Sequence, residues 1–344
     1  EILRSDWSSD VCSSDLGFMS GDYLINLDSE DEGQLFVSCA GGVRTEATYT
    51  VDEEKLPEGF SAFNFVVKGL TGGHSGDDIN KNRANANKLL VRFLLEQCEK
   101  TDLRLCDIQA GGLHNAIPRE AHATVAVPTA YAATFVTELE AFVAKVREEF
   151  SVTEPDLTAA LEAVDAASTC ICPEQAVRML KSLSVVHNGI FAMSQDLEGL
   201  VETSSNLASV RKQGNQVVAT TSQRSSVASN LEYMALVVRS AFELGGAKCV
   251  TNEGYPGWKM NPKSEILKVC VESYKRLFGK EPLVRAIHAG LECGLFSEKY
   301  PNLDMVSFGP TLRGVHSPDE RLLIPTVQMV WDHLLDVLKN IPAK

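Results

Sequence analysis

Asp28 ends an apolar run, Tyr23 to Leu27, and opens the acidic loop Asp28-Ser29-Glu30-Asp31-Glu32-Gly33. A carboxylate at the C-terminal end of a buried strand stands where ligands collect in open α/β sheets. Alone it reads equally as an Asx turn. His316, in Gly314-Val315-His316-Ser317-Pro318-Asp319-Glu320, is a possible zinc ligand as a neutral imidazole or a surface loop residue. His74 is framed by Gly72-Gly73 and Ser75-Gly76, and glycines let a backbone approach a ligand closely; it could equally be a turn histidine. Asn115, in His114-Asn115-Ala116-Ile117-Pro118, and Arg224, near the end of a polar strand, have the chemistry to hold a carboxylate, Arg224 through its two-pronged guanidinium. Glu292 stands among small and apolar residues beside Gly290. A carboxylate there calls for a cationic partner, either a substrate ammonium or a structural Lys or Arg.

Such residues need two scaffolds. Tyr23–Leu27 and Gln34–Cys39 read as buried strands, and after Ala40-Gly41-Gly42 the pattern changes to alternation, with Phe63, Phe65 and Val67 on one face. Ala86, Leu89, Leu90, Phe93 and Leu94 recur at helical spacing, Ala121, Ala123, Val125 and Val127 alternate as a strand, and a helix is predicted over 132–148. A linker around 155–167 precedes strand candidates at 207–212 and 216–221 and a helix carrying Leu231, Ala235, Val238 and Phe242 on one stripe. Beyond Gly254-Tyr255-Pro256-Gly257 the chain returns to alternating helix and strand. The fold class expected is α/β: a catalytic domain with a mostly parallel sheet and flanking helices, interrupted by a two-lobed α+β lid with an antiparallel sheet. The boundaries are 1–16 as a segment foreign to the fold, 17–41 and 255–344 as the two catalytic segments, and 42–254 as the lid, with lobes at about 42–150 and 165–254. The first segment contains the Ser/Asp-rich near-repeat Arg4 to Leu16, which lacks apolar periodicity and resembles translated adapter sequence.

The net charge of −14 over 344 residues argues against a nucleic-acid partner, which needs clustered cations. Nine irregularly spaced cysteines read as reduced thiols of a cytoplasmic protein, and neither a secretory leader nor a membrane-spanning run is read.

Taken in order, LINLDSEDEG, CAGG, KGLTGGHSGDDIN, NANKLLVRFL, HNAIPREA, GYPGWK, IHAGLECGLF and GVHSPDE resemble the aminoacyl-histidine (Xaa-His) dipeptidases, cocatalytic zinc peptidases with an inserted lid. The resemblance runs from about Gly17 to Pro342 and is weakest between roughly Thr129 and Val201. It implies metal-dependent hydrolysis of dipeptides, preferentially Xaa-His, by water activated on two zinc ions, with cobalt or manganese as substitutes. It assigns Asp28 and His316 to the metals and His74 to the developing oxyanion. Asn115 and Arg224 go to the substrate carboxylate, and Glu292 to the free amino group, with Gly290 beside it in the substrate-binding set.

The family's upstream His-x-Asp motif, bridging Asp and Glu-Glu pair, which supplies the general base, are not among the 344 residues, so the chain by itself is expected to be inactive. His114 stands where the family often has Arg and is left unassigned. The partners expected are a dipeptide and no nucleic acid or membrane, with a homodimer left open. A related tripeptidase or carboxypeptidase, or a non-catalytic binding or dimerisation fragment, is the alternative.

Overall fold

A computed structural model describes residues 20–165, 167–195, 197–288, 290–313 and 320–342. The segment 1–16 and His316 lie outside them. The chain divides into two compact units, Gly42–Gly254 and Glu1–Gly41 with Tyr255–Lys344.

In the unit Gly42–Gly254 a nine-stranded sheet runs in the order Thr158–Val164, Phe60–Lys68, Ala121–Pro128, Arg104–Gly111, Val201–Gln213, Gln216–Ser225, Gly41–Thr50, Lys248–Thr251, and Gly189–Met193 also pairs with Val201–Gln213. Helices α1 (Ala86–Cys98), α2 (Ala132–Glu149), α3 (Pro173–Val185) and α4 (Ala228–Leu244) pack on it. The stretches expected as separate lobes share this sheet, because Val201–Gln213 pairs antiparallel with Arg104–Gly111. They also share one core: Phe93 of α1, Phe135 of α2, Leu180 of α3 and Phe242 of α4 belong to the same buried cluster. The expected linker differs too, since Thr158–Val164 pairs with Phe60–Lys68 along the sheet edge.

The alternation works as physics predicts. Phe63 and Phe65 turn to the helices, where Phe65 and Phe93 approach to 4.9 Å between ring centroids and Phe93 meets Phe135 at 5.4 Å and Phe142 at 5.2 Å. Tilted aromatic pairs of this kind contribute about 0.5–1.5 kcal/mol each beyond their buried area. Asn85 caps α1, its side-chain oxygen accepting from the amides of Asn87 and Lys88. Lys88 donates to the carbonyl oxygens of Leu183, Ser184 and Val186, groups the end of α3 would otherwise leave unpaired.

In the other unit a four-stranded sheet has the order Tyr23–Asn26, Asp304–Ser307, Gln34–Cys39, Leu283–Ile287. Its outer pairs are parallel, and a single antiparallel contact, Ser307 to Phe36, joins the middle strands. Helices α5 (Glu265–Phe278), α6 (Glu292–Lys299) and α7 (Ile324–Asn340) complete the unit. Leu35, Ile266, Cys270, Val306, Phe308 and Val337 form its main core. The eight described cysteines are all free thiols, and no described helix is long and apolar enough to cross a membrane.

His333 on α7 is buried in this core, with its ring 4.7 Å from Phe308 and 5.4 Å from Tyr274 and its Nε2 2.9 Å from the Cys270 carbonyl. That geometry makes Nε2–H the donor. Burial pushes the ring below its ordinary range, only partly opposed by the carbonyl. The unfolded chain therefore binds this proton first, so the contribution is complete above about pH 6.5 and is lost as pH falls towards the depressed folded value. Urea unfolding between pH 8 and 5.5 should show stability falling in acid by up to about 1.4 kcal/mol per pH unit from this group. His333→Gln, which keeps a donor without the titration, should flatten the slope. An unchanged slope would mean that His333 does not carry it.

Candidate active site

In the unit Gly42–Gly254 three segments meet. Gly73–His74 pairs antiparallel with Ala116–Ile117, and the Ser75 amide donates to the Asn115 carbonyl at 2.8 Å. Asn206, on the long strand Val201–Gln213, donates through Nδ2 to the Ala116 carbonyl at 2.8 Å. That strand carries Ser204 opposite Arg224. Backbone pairing and one buried amide thus hold the His74 and Asn115 segments beside the Arg224 strand, and the Arg224 guanidinium lies 3.5 Å from His74 Nε2.

The Gly72-Gly73 turn depends on its glycines. Gly72 has φ +62° and Gly73 φ +133°. A Cβ on Gly73 would fall 2.0 Å from Arg83 Nη1 and 2.3 Å from Asp78 Oδ2, so a side chain there is excluded by both backbone and space. Asp78 accepts the His74 amide at 2.8 Å and pairs with Lys81 at 2.5 Å and Arg83 at 3.1 Å. Burial pushes the Asp78 carboxyl up, but these donors and charges outweigh it and hold it below the usual range.

Arg224 is only 6% exposed. It lies in a buried polar stretch rather than at the solvated strand end its sequence suggests. Thr45 donates to Gln223 at 3.0 Å, and the Thr203 and Ser225 hydroxyls pair at 2.8 Å. Burying a guanidinium is costly unless partners are arranged for it, and a carboxylate is the partner its geometry fits best. Asn115 is exposed on its turn. Partial burial, Arg44 and Arg224 together push the neighbouring His114 imidazole down, favouring its neutral form.

In the unit containing Tyr255–Lys344, Asn26 organises the remaining candidates. Its Oδ1 accepts the Asp28 amide at 2.9 Å and the Ser307 hydroxyl at 2.8 Å, and its Nδ2 donates to Glu292 at 3.5 Å. Ser29 and Ser307 pair through their hydroxyls at 2.6 Å, and Arg313 pairs with Asp31 at 2.8 Å, which fixes the acidic loop against the neighbouring strand end. Asp28 and Glu292 are thereby brought to the same end of the sheet. Glu292 opens α6, and no ion pair holds it among the described residues. Gly290 permits a close approach: a Cβ there would stand 2.8 Å from the Tyr255 ring.

Among the described residues no three His, Cys, Asp or Glu side chains converge where a metal ion could be held. Asp28 is exposed and belongs to no such group among them. The described residues therefore do not make a metal centre by themselves. Asn26 and Asn206 were not legible as site residues; the one available signal was Asn26's place two residues before Asp28.

A family model described as the peptidase dimerisation domain of the M20 peptidases matches residues 65–154, the stretch that carries His74 and Asn115. That stretch thus has the class of a peptidase dimerisation domain. The cytosol non-specific dipeptidase of Escherichia coli strain K12 is 40% identical over 327 residues, 95% of this chain and 67% of that protein. The crystal structure of aminoacylhistidine dipeptidase from Vibrio alginolyticus superposes with a TM-score of 0.90 at 40% identity, again over 95% of this chain and 67% of that one. The chain belongs to this family of dipeptidases, hydrolases that act on peptide bonds.

Proposed function

We propose that the protein acts in the hydrolysis of dipeptides with a free C-terminal carboxylate, Xaa-His among them. The observation that carries this reading is the buried Arg224 guanidinium held 3.5 Å from His74: an anion anchor lies beside a group able to polarise a carbonyl. Arg224 and Asn115 bind the carboxylate, His74 donates to the carbonyl oxygen as negative charge develops, and Glu292, with Gly290 beside it, takes the substrate ammonium.

Metal dependence belongs to the same proposal. Asp28 and His316 are put forward as ligands, one for each of two zinc ions, with cobalt or manganese able to replace them. The reading also includes a cytoplasmic location, supported by the cytosol dipeptidase relative, and a homodimer, supported by the dimerisation-domain match.

The test compares glycyl-histidine, β-alanyl-histidine, other dipeptides and a tripeptide in an active preparation of the enzyme containing this chain. Dipeptides should exceed the tripeptide in kcat/KM by at least roughly tenfold. A chelator should abolish hydrolysis and added zinc restore it. Preference for the tripeptide would move the reading to a tripeptidase, and chelator-insensitive hydrolysis would remove the metal from it.

A further inference from the structure

A buried side-chain amide can face two ways, and its neighbours decide which. Asn206, on the strand Val201–Gln213, is 1% exposed and lies between groups of opposite demand. On one side its Nδ2 donates to the Ala116 carbonyl at 2.8 Å. On the other, the Asn85 Nδ2 donates to its Oδ1 at 3.4 Å. Turned over, Asn206 would set oxygen against the Ala116 oxygen and NH2 against the Asn85 NH2, so only the observed orientation satisfies both neighbours. Asn85 is itself fixed by the cap of α1. Its Oδ1 accepts the amides of Asn87 and Lys88, which leaves its Nδ2 to donate to Asn188 Oδ1 at 2.8 Å, to the Leu207 carbonyl at 3.0 Å and to Asn206. Asn188 is held in turn, because its Oδ1 also accepts the Leu207 amide at 2.9 Å.

Ala116 is the residue paired across from His74, and it directly follows Asn115. The loop that carries it touches the strand Val201–Gln213 a second time. There the Gly112 amide donates to the Ala208 carbonyl at 3.2 Å, and a Cβ on Gly111 would stand 2.0 Å from that oxygen. The glycine contact fixes the base of the loop, and the Asn206 amide fixes its far side. We propose that Asn206, oriented by Asn85, is a positioning residue for His74. The amide order set at the start of α1 passes through Asn206 to the Ala116 carbonyl and holds the imidazole at its place in the site. This deepens the reading of His74 as the donor to the carbonyl oxygen, and rests on it.

The side chains of the relay are neutral amides, so it acts through geometry and moves no charge. Replacing Asn206 leaves the Ala116 carbonyl without its donor, and a backbone oxygen that loses its partner draws the segment towards water. Ser75, whose amide donates to the Asn115 carbonyl at 2.8 Å, moves with that segment. A displacement of about 1 Å between a donor and the reacting atoms can cost as much as roughly 10²-fold in rate. The loss therefore belongs to kcat, through His74.

The test uses two variants. Asn206→Leu keeps the branched shape without donor or acceptor, and Asn85→Ser keeps an oxygen to cap α1 while removing the amide. In hydrogen exchange followed by mass spectrometry on the 344-residue chain, both should exchange at least roughly tenfold faster over 72–78 and 112–118, with α4 as in the wild type. Unchanged exchange in those two segments would overturn the proposal. So would an equal rise in α4, which would mark a general loss of fold stability. In an active preparation of the enzyme, Asn206→Leu should lower kcat by roughly tenfold or more, with a smaller change in KM. When His74 is already Ala, the same substitution should cost less than about twofold. An equal loss in both backgrounds would show that Asn206 does not act through His74. Wild-type kcat in Asn206→Leu, with His74→Ala impaired, would overturn the proposal alone. Wild-type kcat in His74→Ala would overturn the donor reading and the proposal with it.

Discussion

His74→Ala should lower kcat by roughly 10²–10³-fold in an active preparation of the enzyme, as removal of a single oxyanion donor does elsewhere, with a much smaller change in KM. The reason lies in when the interaction forms. A neutral amide carbonyl accepts only a modest hydrogen bond, whereas the oxyanion that replaces it makes a charge-assisted one, so the loss falls on the transition state. The imidazole is also placed by its backbone: pairing with Ala116–Ile117, the Asp78 carboxylate on its amide and the Gly72-Gly73 turn all persist when the side chain is cut at Cβ. His74→Ala should therefore fold with little loss of thermal stability, and bound metal measured after dialysis should equal that of the wild type, since the proposed ligands are Asp28 and His316. Wild-type kcat across several dipeptides would show that the loop is a structural turn. Loss of metal would place His74 in a different role.

Much of the scaffold around His74 could be read from local pattern. Alternation at Ala121, Ala123, Val125 and Val127 and helical spacing at Leu89, Leu90, Phe93 and Leu94 are consequences of backbone periodicity and one-sided burial, and all of them lie in the buried core. The change of pattern after Gly42 and again after Gly254 had the same origin. What escaped was polar burial. The strand expected from Leu207 begins at Val201, and the one expected to end at Thr221 continues to Ser225. The unread portions are Glu202-Thr203-Ser204-Ser205-Asn206 and Ser222-Gln223-Arg224-Ser225, all buried. In sequence such runs look solvated, because nothing local reveals that Thr45, more than 150 residues away, supplies a partner for Gln223. The same holds for Asn85, which caps α1 while its amide reaches Asn188 and the Leu207 carbonyl, and for Thr158–Val164, whose strand character comes from its pairing with Phe60–Lys68. Of the site itself, residue types were legible and juxtapositions were not: Arg224 and His74 are 150 positions apart, and only the sheet makes them neighbours.

Arg224 should give the other large effect, expressed mainly in KM. Hydrogen bonds to charged groups contribute about 1.5–3 kcal/mol, and a guanidinium can offer a carboxylate two. Losing that anchor should lower kcat/KM by roughly 10²–10³-fold. Arg224→Met is the variant of choice, since at 6% exposure the side chain is buried, with Ser204 opposite it on the neighbouring strand, and a side chain of similar length leaves less empty space than Ala. Removing a buried charge need not destabilise the fold and can stabilise it, so the Tm should fall little or rise. Arg224→Lys keeps the charge but presents a single ammonium instead of a planar fork, and should recover only part of the loss. A dipeptide and its C-terminal amide provide the decisive comparison. Wild-type enzyme should favour the free acid strongly, and Arg224→Met should bring the acid-to-amide ratio of kcat/KM close to one by impairing only the acid. A ratio that survives the substitution would mean that another group reads the carboxylate, and that Arg224 serves instead to hold the buried polar strand and the ring of His74 in place.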